Sequence, residues 1–408
     1  VVIQFTAIPP SPVYQLDLPS DGVTVSLQTP SGLAISAPIV LHYDTSLIAG
    51  NGPSYSLSSL STSNLQVGAH TLYASFAGNA DYLTASLSKG FVIIAGSSLN
   101  ISTTANYDQS PAGTLIWQES FTGASGNSAP PTLFTPVTGS DSYGTGEIEN
   151  NTSSPTNISE DGSGDLVITA KCIATANPGC ESTSQPMGQT WTSARIWTKG
   201  KATYQYGQLE ARIWMPAGSY NWPAFWMLGA SYGAPTNSVN WPMCGEIDIA
   251  EGLQSNSQDQ ATLHDNTPGT TTDWYGGGGL TQVAPLTGSA MTSGWHTYGI
   301  LWQPNSIAFT LDGKVFAEDL YNPSTTDITQ IQFASNGTSH STSFGPGTSN
   351  PQAGGDWAFN APFFIIFDDA IGGGSAAVAP NGSTATMKIN WIKYYKYNGY
   401  GTFSGPSS

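Results

Sequence analysis

Basic residues are scarce. The 408-residue chain has 10 Lys and Arg against 27 Asp and Glu, a formal charge of −17, and a surface so poor in cations argues against a phosphate backbone or an anionic membrane as partner. No nucleic-acid partner and no membrane insertion are therefore expected. Charge of either sign is thin, at 9% of residues, and no run of about 18 apolar residues offers a membrane-crossing helix. Cysteine is limited to Cys172, Cys180 and Cys244, without the spacing or the second Cys/His cluster of a metal site. Cys172 and Cys180 flank a Pro-Gly loop and are candidates for a disulfide. Cys244 would then be a lone thiol beside a glycine, which more often packs than reacts.

What is abundant is Gly, Pro, Ser, Thr and aromatic side chains, a mixture that favours short strands and turns over long helices. Twelve Trp and eighteen Tyr supply flat apolar faces with polar edges, suited both to sugar rings and to a buried core. The length points to two domains. The opening "VVIQFTAIPP" lacks a basic leader region and reads as a processed or trimmed N-terminus. Composition makes a secreted protein the expectation; a monomer is expected as well.

Residues 1–96 show strands punctuated by turns, among them "VTVSLQ", "PIVLHYD", "HTLYASFAG" and "SKGFVIIAG", the spacing of a small antiparallel sandwich. The stretch "LQVGAHTLYASFAGNADYLTAS" resembles the repeat of bacterial immunoglobulin-like modules, with a polar turn at Gly78-Asn79. That resemblance implies a spacer more readily than a sugar-binding module. Residues 97–112, "SSLNISTTANYDQSPA", read as a linker. From 113 to 398 about a dozen β-type segments recur with almost no helical period, which predicts an all-β fold and specifically a two-sheet jelly roll. Within it, 193–215 reads as strand, bend and strand, and "LDGKVF" as a hairpin whose Asp312-Gly313 turn takes positive φ. The tail 399–408, "GYGTFSGPSS" counted from Gly399, has no packing pattern and is expected to be loosely held.

The informative segment is "GEIDIAEGL", residues 245–253. In a regular strand Glu246 and Asp248 share one face and Ile247 and Ile249 the other, so Ala250, not Glu251, should continue the acidic row. A β-bulge, expected at Ala250, returns Glu251 to that face. The two glutamate Cα atoms then stand about 13 Å apart, and side chains leaning together bring the carboxyl groups to about 5–6 Å, the separation of a retaining glycosidase. Three acids on one face repel, so their proton affinities separate into an acid and an ionised nucleophile. Symmetry leaves open which glutamate is which. Alternating acids are also the mark of a solvated strand, and a Ca²⁺ site is a further alternative, although its acids normally come from a glycine-containing loop.

Together "TSARIWTKG", "YGQLEARIWMP", "WPAFWML", "GEIDIAEG" and "MKINWIKYYKY" resemble glycoside hydrolase family 16, in particular its laminarinase-type β-1,3-glucanases, over about Leu115 to Tyr397. The resemblance implies Glu246 as nucleophile, Asp248 as its assistant and Glu251 as acid/base. It implies substrate contacts at Trp241, Trp226, Trp222, Arg195, His264 and Asn150, with Asn151 an equal candidate for the last. No cofactor is required. Many family members hold a structural calcium through an aspartate in the last strand, where this chain has Asn390, so calcium is doubtful and the metal content is left unknown. Asp368 and Asp369 stand where hydrophobic residues or asparagine are usual, and either reach the cleft floor or face solvent. The implied activity is endo-hydrolysis of a β-glucan polysaccharide such as laminarin. Alternatives are a mixed-linkage β-1,3-1,4-glucanase, a transglycosylase, or a non-catalytic glucan-binding lectin; sulfated galactans are disfavoured by the shortage of Lys and Arg.

Overall fold

The structure, a computed structural model, describes residues 2–7, 13–14, 22–31, 33–44, 46–48, 54–56, 68–94, 113–140, 145–174, 180–181, 190–216, 220–252, 260–266, 271, 273, 280–283, 294–323, 326–333, 339–344, 357–372 and 378–407. The chain divides into two compact units, Val1–Asn100 with Asn322–Ser324 and Ile101–Tyr321 with Thr325–Ser408. The predicted linker, 97–112, lies outside the described residues. No helix among the described residues is long and apolar enough to cross a membrane.

The first unit is a two-sheet β-sandwich. One sheet orders the strands Val2–Ala7, Gly22–Gln28 and Ser54–Ser56, and the other orders Val13–Tyr14, Ala85–Ile94, Gly68–Phe76, Val40–Tyr43 and Ser46–Ile48. Alternation explains which residues meet: Val23, Val25 and Leu27 of one sheet are buried with Leu41, Tyr43, Leu72 and Ala74 of the other. The predicted turn is closed by the Asn79 side chain, whose Oδ1 accepts the N–H groups of Asp81 and Tyr82, both at 2.9 Å.

The second unit is a larger pair of sheets. Among the described residues nine strands form the first, with the path Thr135–Val137, Arg195–Trp197, Phe363–Ile371, Asn221–Gly229, Glu246–Glu251, Gln260–His264 and Leu280–Val283. The second, of twelve strands, is built around Leu166–Cys172, Thr384–Tyr395, Gly207–Trp214, His296–Gln303 and Ser306–Leu311. Phe225, Met227, Ile247, Leu263, Ile365 and Phe367 of the first sheet share one core with Leu209, Ala211, Ile213, Ile300, Met387 and Ile389 of the second. Side-chain alternation therefore dedicates one face of the nine-stranded sheet to the core. The other face is left for chemistry.

The Asp312-Gly313 hairpin forms as predicted, with φ of 50° and 74°, joining Ser306–Leu311 to Lys314–Asn322. Cys172 and Cys180 are disulfide-bonded, with Cα atoms 5.7 Å apart, and Cys244 is free and buried.

Two expectations need correction. The stretch 193–215 bends at Tyr206-Gly207 as expected, with φ of 60° and 82° between Thr203–Gln205 and Gly207–Trp214, but its first part is not one strand: Trp191–Ser193 lies in the twelve-stranded sheet and Arg195–Trp197 in the nine-stranded one, so the chain changes sheet at the buried Ala194. The tail beyond Gly399 is not loose. Thr402–Ser404 pairs with Thr203–Gln205, and the Phe403 ring stacks on Trp117 at 5.2 Å and packs against Tyr204 at the same separation. One aromatic side chain at the right register anchors a Gly-Ser-Pro segment that carries no hydrophobic period of its own.

Candidate active site

Gly245 precedes the acidic strand at φ 78°, and a Cβ there would come within 2.8 Å of the Phe363 ring and 2.9 Å of Ala358. Only glycine fits that entry. The strand Glu246–Glu251 then lies between Asn221–Gly229 and Gln260–His264. Against the first neighbour, Asp248 opposes Trp226 and Ala250 opposes Phe225, so one residue is extra. Ile249 has no partner there, and against the second neighbour neither Ile249 nor Ala250 has one, so the alternation breaks at Ala250 as expected. Ile249 and Ala250 both turn into the core, because two consecutive apolar side chains can face inward only where the alternation slips. Beyond the slip Glu251 rejoins Glu246 and Asp248 on the outer face.

Register places the neighbours. Glu246 lies between Leu228 and His264, Asp248 between Trp226 and Thr262, and Glu251 between Ala224 and Gln260. On the far side of Asn221–Gly229, Ala224 opposes Asp368 and Trp226 opposes Ile366; Arg195 in turn opposes Asp368. At one end of this face Leu228, Cys244, Phe364 and Ile366 are buried together, with Trp197 and Trp226 packed over them. Carboxylates thus adjoin an aromatic platform.

Each glutamate has its own tryptophan. Trp241 Nε1–H donates to Glu246 Oε2 at 2.5 Å, and Trp222 Nε1–H donates to Glu251 Oε1 at 2.9 Å. Trp241 is 43% exposed, its indole tilted against the His264 ring at 5.8 Å. His264 Nε2 approaches Asp248 Oδ2 at 3.2 Å and its Nδ1 approaches Asp273 Oδ2 at 2.7 Å.

Burial and like charge raise all three carboxyls. Glu251 is pushed up to about 7, first by burial, with Trp222 and His264 pulling the other way. Asp248 is pushed up to about 6 by burial and then by Glu251. Glu246 is raised further by burial and by Asp248 beside it. Burial opposes the His264 charge, but the bonds to Asp248 and Asp273 outweigh it and hold the ring protonated well above its ordinary range. At neutral pH the arrangement offers a carboxylic acid at Glu251 and a Glu246–Asp248 pair that is slow to give up its proton.

Arg195 is buried at 4% exposure. It donates through Nε to Asp368, donates through a terminal nitrogen to Glu147 Oε2 at 2.7 Å, and lies 5.5 Å from the Trp226 ring centre. Its described bonds are to protein carboxylates, and it supports Trp226 by a cation–π contact. Asp368 and Asp369 do not face solvent. Both are buried, and Asp369 accepts from Asn221 through each oxygen at 3.0 Å. Asn150 pairs with Thr192 and accepts from Ser140 at 3.3 Å; no described contact joins it to the carboxylates. Asn151 is buried and donates to Glu149 at 3.1 Å.

Sequence reasoning passed over Glu147 and Asp273. Glu147 had a signal, since "GEIEN" repeats the acid alternation of "GEIDIAE". Asp273, in "TTTDWY", had none.

Glu246, Asp248 and His264 present donor atoms within 4.8 Å of one another, yet they do not fit a metal ion. An imidazole held between two carboxylates donates from both nitrogens and keeps no lone pair to give. The last-strand position does not fit calcium either. Asn390 turns its amide Nδ2, a donor, to Gly164 O at 3.1 Å and Asp165 Oδ1 at 2.8 Å, while its Oδ1 accepts from Arg212 at 3.3 Å. The Lys388 ammonium stands 3.7 Å from both Asp161 and Asp165. Donors and an ammonium occupy the positions from which oxygens would hold a cation.

A two-sheet β-sandwich carrying three carboxylates beside aromatic rings on the outer face of one sheet defines a glycoside hydrolase. The chain belongs to the glycosyl hydrolases family 16, whose family profile matches residues 149–360. It is 28% identical over 217 residues to a "Beta-glucanase" of Rhodothermus marinus, covering 52% of this chain and 64% of that protein. It is 26% identical over 219 residues to "Glucan endo-1,3-beta-glucosidase A1" of Niallia circulans, covering 50% of this chain and 26% of the relative. The chain thus spans less than two thirds of either. Among solved structures it is similar to the endo-β-1,3-glucanase of Pyrococcus furiosus, with a TM-score of 0.51, 27% identity, and coverage of 72% of this chain and 95% of that one.

Proposed function

We propose that the protein cleaves β-1,3-glucan within the chain, with retention of anomeric configuration, using Glu246 as nucleophile and Glu251 as general acid and then general base. The observation that carries this reading is the shared outer face of the acidic strand, on which Glu246 and Glu251 flank Asp248 and each accepts from its own tryptophan N–H. In the first step Glu246 attacks the anomeric carbon while Glu251 passes its proton to the departing glycosidic oxygen. Asp248, held against the His264 ring, is the more acidic member of the pair, so Glu246 sheds its proton before it attacks. In the second step Glu251, now ionised, takes a proton from water as that water attacks the same carbon and releases Glu246. The ring platform at Trp226 and Trp241 suits stacking of glucose faces, and the relatives' names point to β-1,3-glucan.

The Cys172–Cys180 bond supports an oxidising, extracellular setting, and the sandwich of the first unit serves on this reading as an immunoglobulin-like spacer. New reducing ends measured on laminarin, lichenan and agarose side by side test the assignment. Release from laminarin is the expected result; preference for lichenan replaces it with a mixed-linkage enzyme. Binding to laminarin with no product refutes hydrolysis in favour of a lectin.

A further inference from the structure

The His264 ring is gripped at both nitrogens, by Asp248 at 3.2 Å and by Asp273 at 2.7 Å. A neutral imidazole has one N–H and so can donate to only one of two acceptors; satisfying both requires the imidazolium. Asp273 is 3% exposed. Its Oδ1 has no hydrogen-bond partner among the described residues, which leaves the ring as its described side-chain contact. The Asp273 backbone is tied by an antiparallel bridge to Asn266, two residues beyond His264, so the carboxylate is fixed in place relative to the ring. Across the strands His264 opposes Glu246 itself.

We infer that Asp273 is a positioning residue of this site, holding His264 as an imidazolium against Asp248 so that Glu246 can attack as a carboxylate. The inference rests on the hydrolytic reading above and deepens it. The groups facing His264 are Glu246 and Asp248 from the acidic strand, with Glu251 farther along it, and Asp273 from the opposite side; Trp241 adds an uncharged ring. A positive ring among these acids lowers the proton affinity of both members of the Glu246–Asp248 pair. With the pair's proton released, Asp248 stays ionised against the ring and Glu246 is free to form the bond to the anomeric carbon. His264 keeps both its protons throughout, and Asp273 touches no substrate atom.

The test is Asp273→Asn in the full chain, which keeps the shape and removes the charge. His264 ring resonances followed by NMR against pH should titrate at lower pH in the variant than in wild type. On laminarin, kcat should fall about tenfold or more with KM little changed, and the acid limb of kcat/KM should move to higher pH, because losing a cation makes Glu246 harder to ionise. Asp273→Glu should restore part of the loss. An unaltered His264 titration, or unaltered kcat and acid limb, overturns the inference. Should circular dichroism show that Asp273→Asn does not fold, His264→Gln removes the same charge, and an acid limb that stays in place then overturns it. A wild type inactive on laminarin defeats the hydrolytic reading instead, while the NMR comparison still decides whether Asp273 holds His264 charged.

Discussion

Replacing Trp222 with Phe should move the alkaline limb of kcat/KM upward. Trp222 Nε1–H donates to Glu251 Oε1 at 2.9 Å, and an ionised carboxylate accepts such a bond more strongly than the neutral acid does. After the His264 charge, which pulls harder, the bond favours the ionised form and helps bring Glu251 down from where burial alone would put it, to about 7. A hydrogen bond to a charged partner contributes about 1.5–3 kcal/mol, and part of it survives when the acceptor is protonated, so the difference is on the order of 1.4 kcal/mol, or about one pH unit. Phenylalanine keeps the ring face and deletes the donor. Initial rates on laminarin at low substrate across the pH range read the limb directly, since kcat/KM reports the free enzyme. The height of the profile can drop through lost stacking without affecting the argument, which concerns position alone. An alkaline limb that stays in place or moves to lower pH refutes the assignment of Glu251 as the acid or of Trp222 as the group that tunes it.

Azide distinguishes the two glutamates: Glu246→Ala should recover turnover as an α-glycosyl azide and Glu251→Ala as a β-glycosyl azide, and exchanged products, read by NMR, would mean exchanged roles. Folding stability should fall as pH rises. Glu147 and Glu318 are pushed up to about 8, Glu251 to about 7 and Asp248 to about 6, burial being the first cause in each. A raised carboxyl contributes stability that is complete below the ordinary carboxylate range and is lost as pH climbs through its folded value, so urea midpoints should decline between about pH 4 and pH 8; a midpoint that rises across that window contradicts the burial of these groups. Phe403→Ala should lower stability by about 2–3 kcal/mol, the smaller end for a phenylalanine because the ring is only partly buried, and an unchanged urea midpoint would mean that the tail does not pack.

Much of the site was legible because a strand has a fixed period. "GEIDIAEG" violates alternation by one residue, and only a bulge puts all three acids on one face; the structure breaks the alternation at Ala250, where Ile249 and Ala250 both turn inward. The all-β reading survived for the same reason, since turn residues and alternating runs are local signals. The tail failed because Phe403 acts through partners about 200 and 290 positions away, Tyr204 and Trp117, and no local pattern announces such a contact. Arg195 and Asp368, each singled out separately in the sequence, turned out to hold one another across paired strands.

The sequence by itself determined which residues could face outward together and what chemistry three crowded carboxyls could offer. Tertiary structure decided how that chemistry is divided: which tryptophan donates to which glutamate, how deeply each acid is removed from water, and that Asp273 reaches His264. The physical reason is that strand alternation is a property of adjacent residues, whereas proton affinity depends on desolvation and on charges brought close only when distant strands pair.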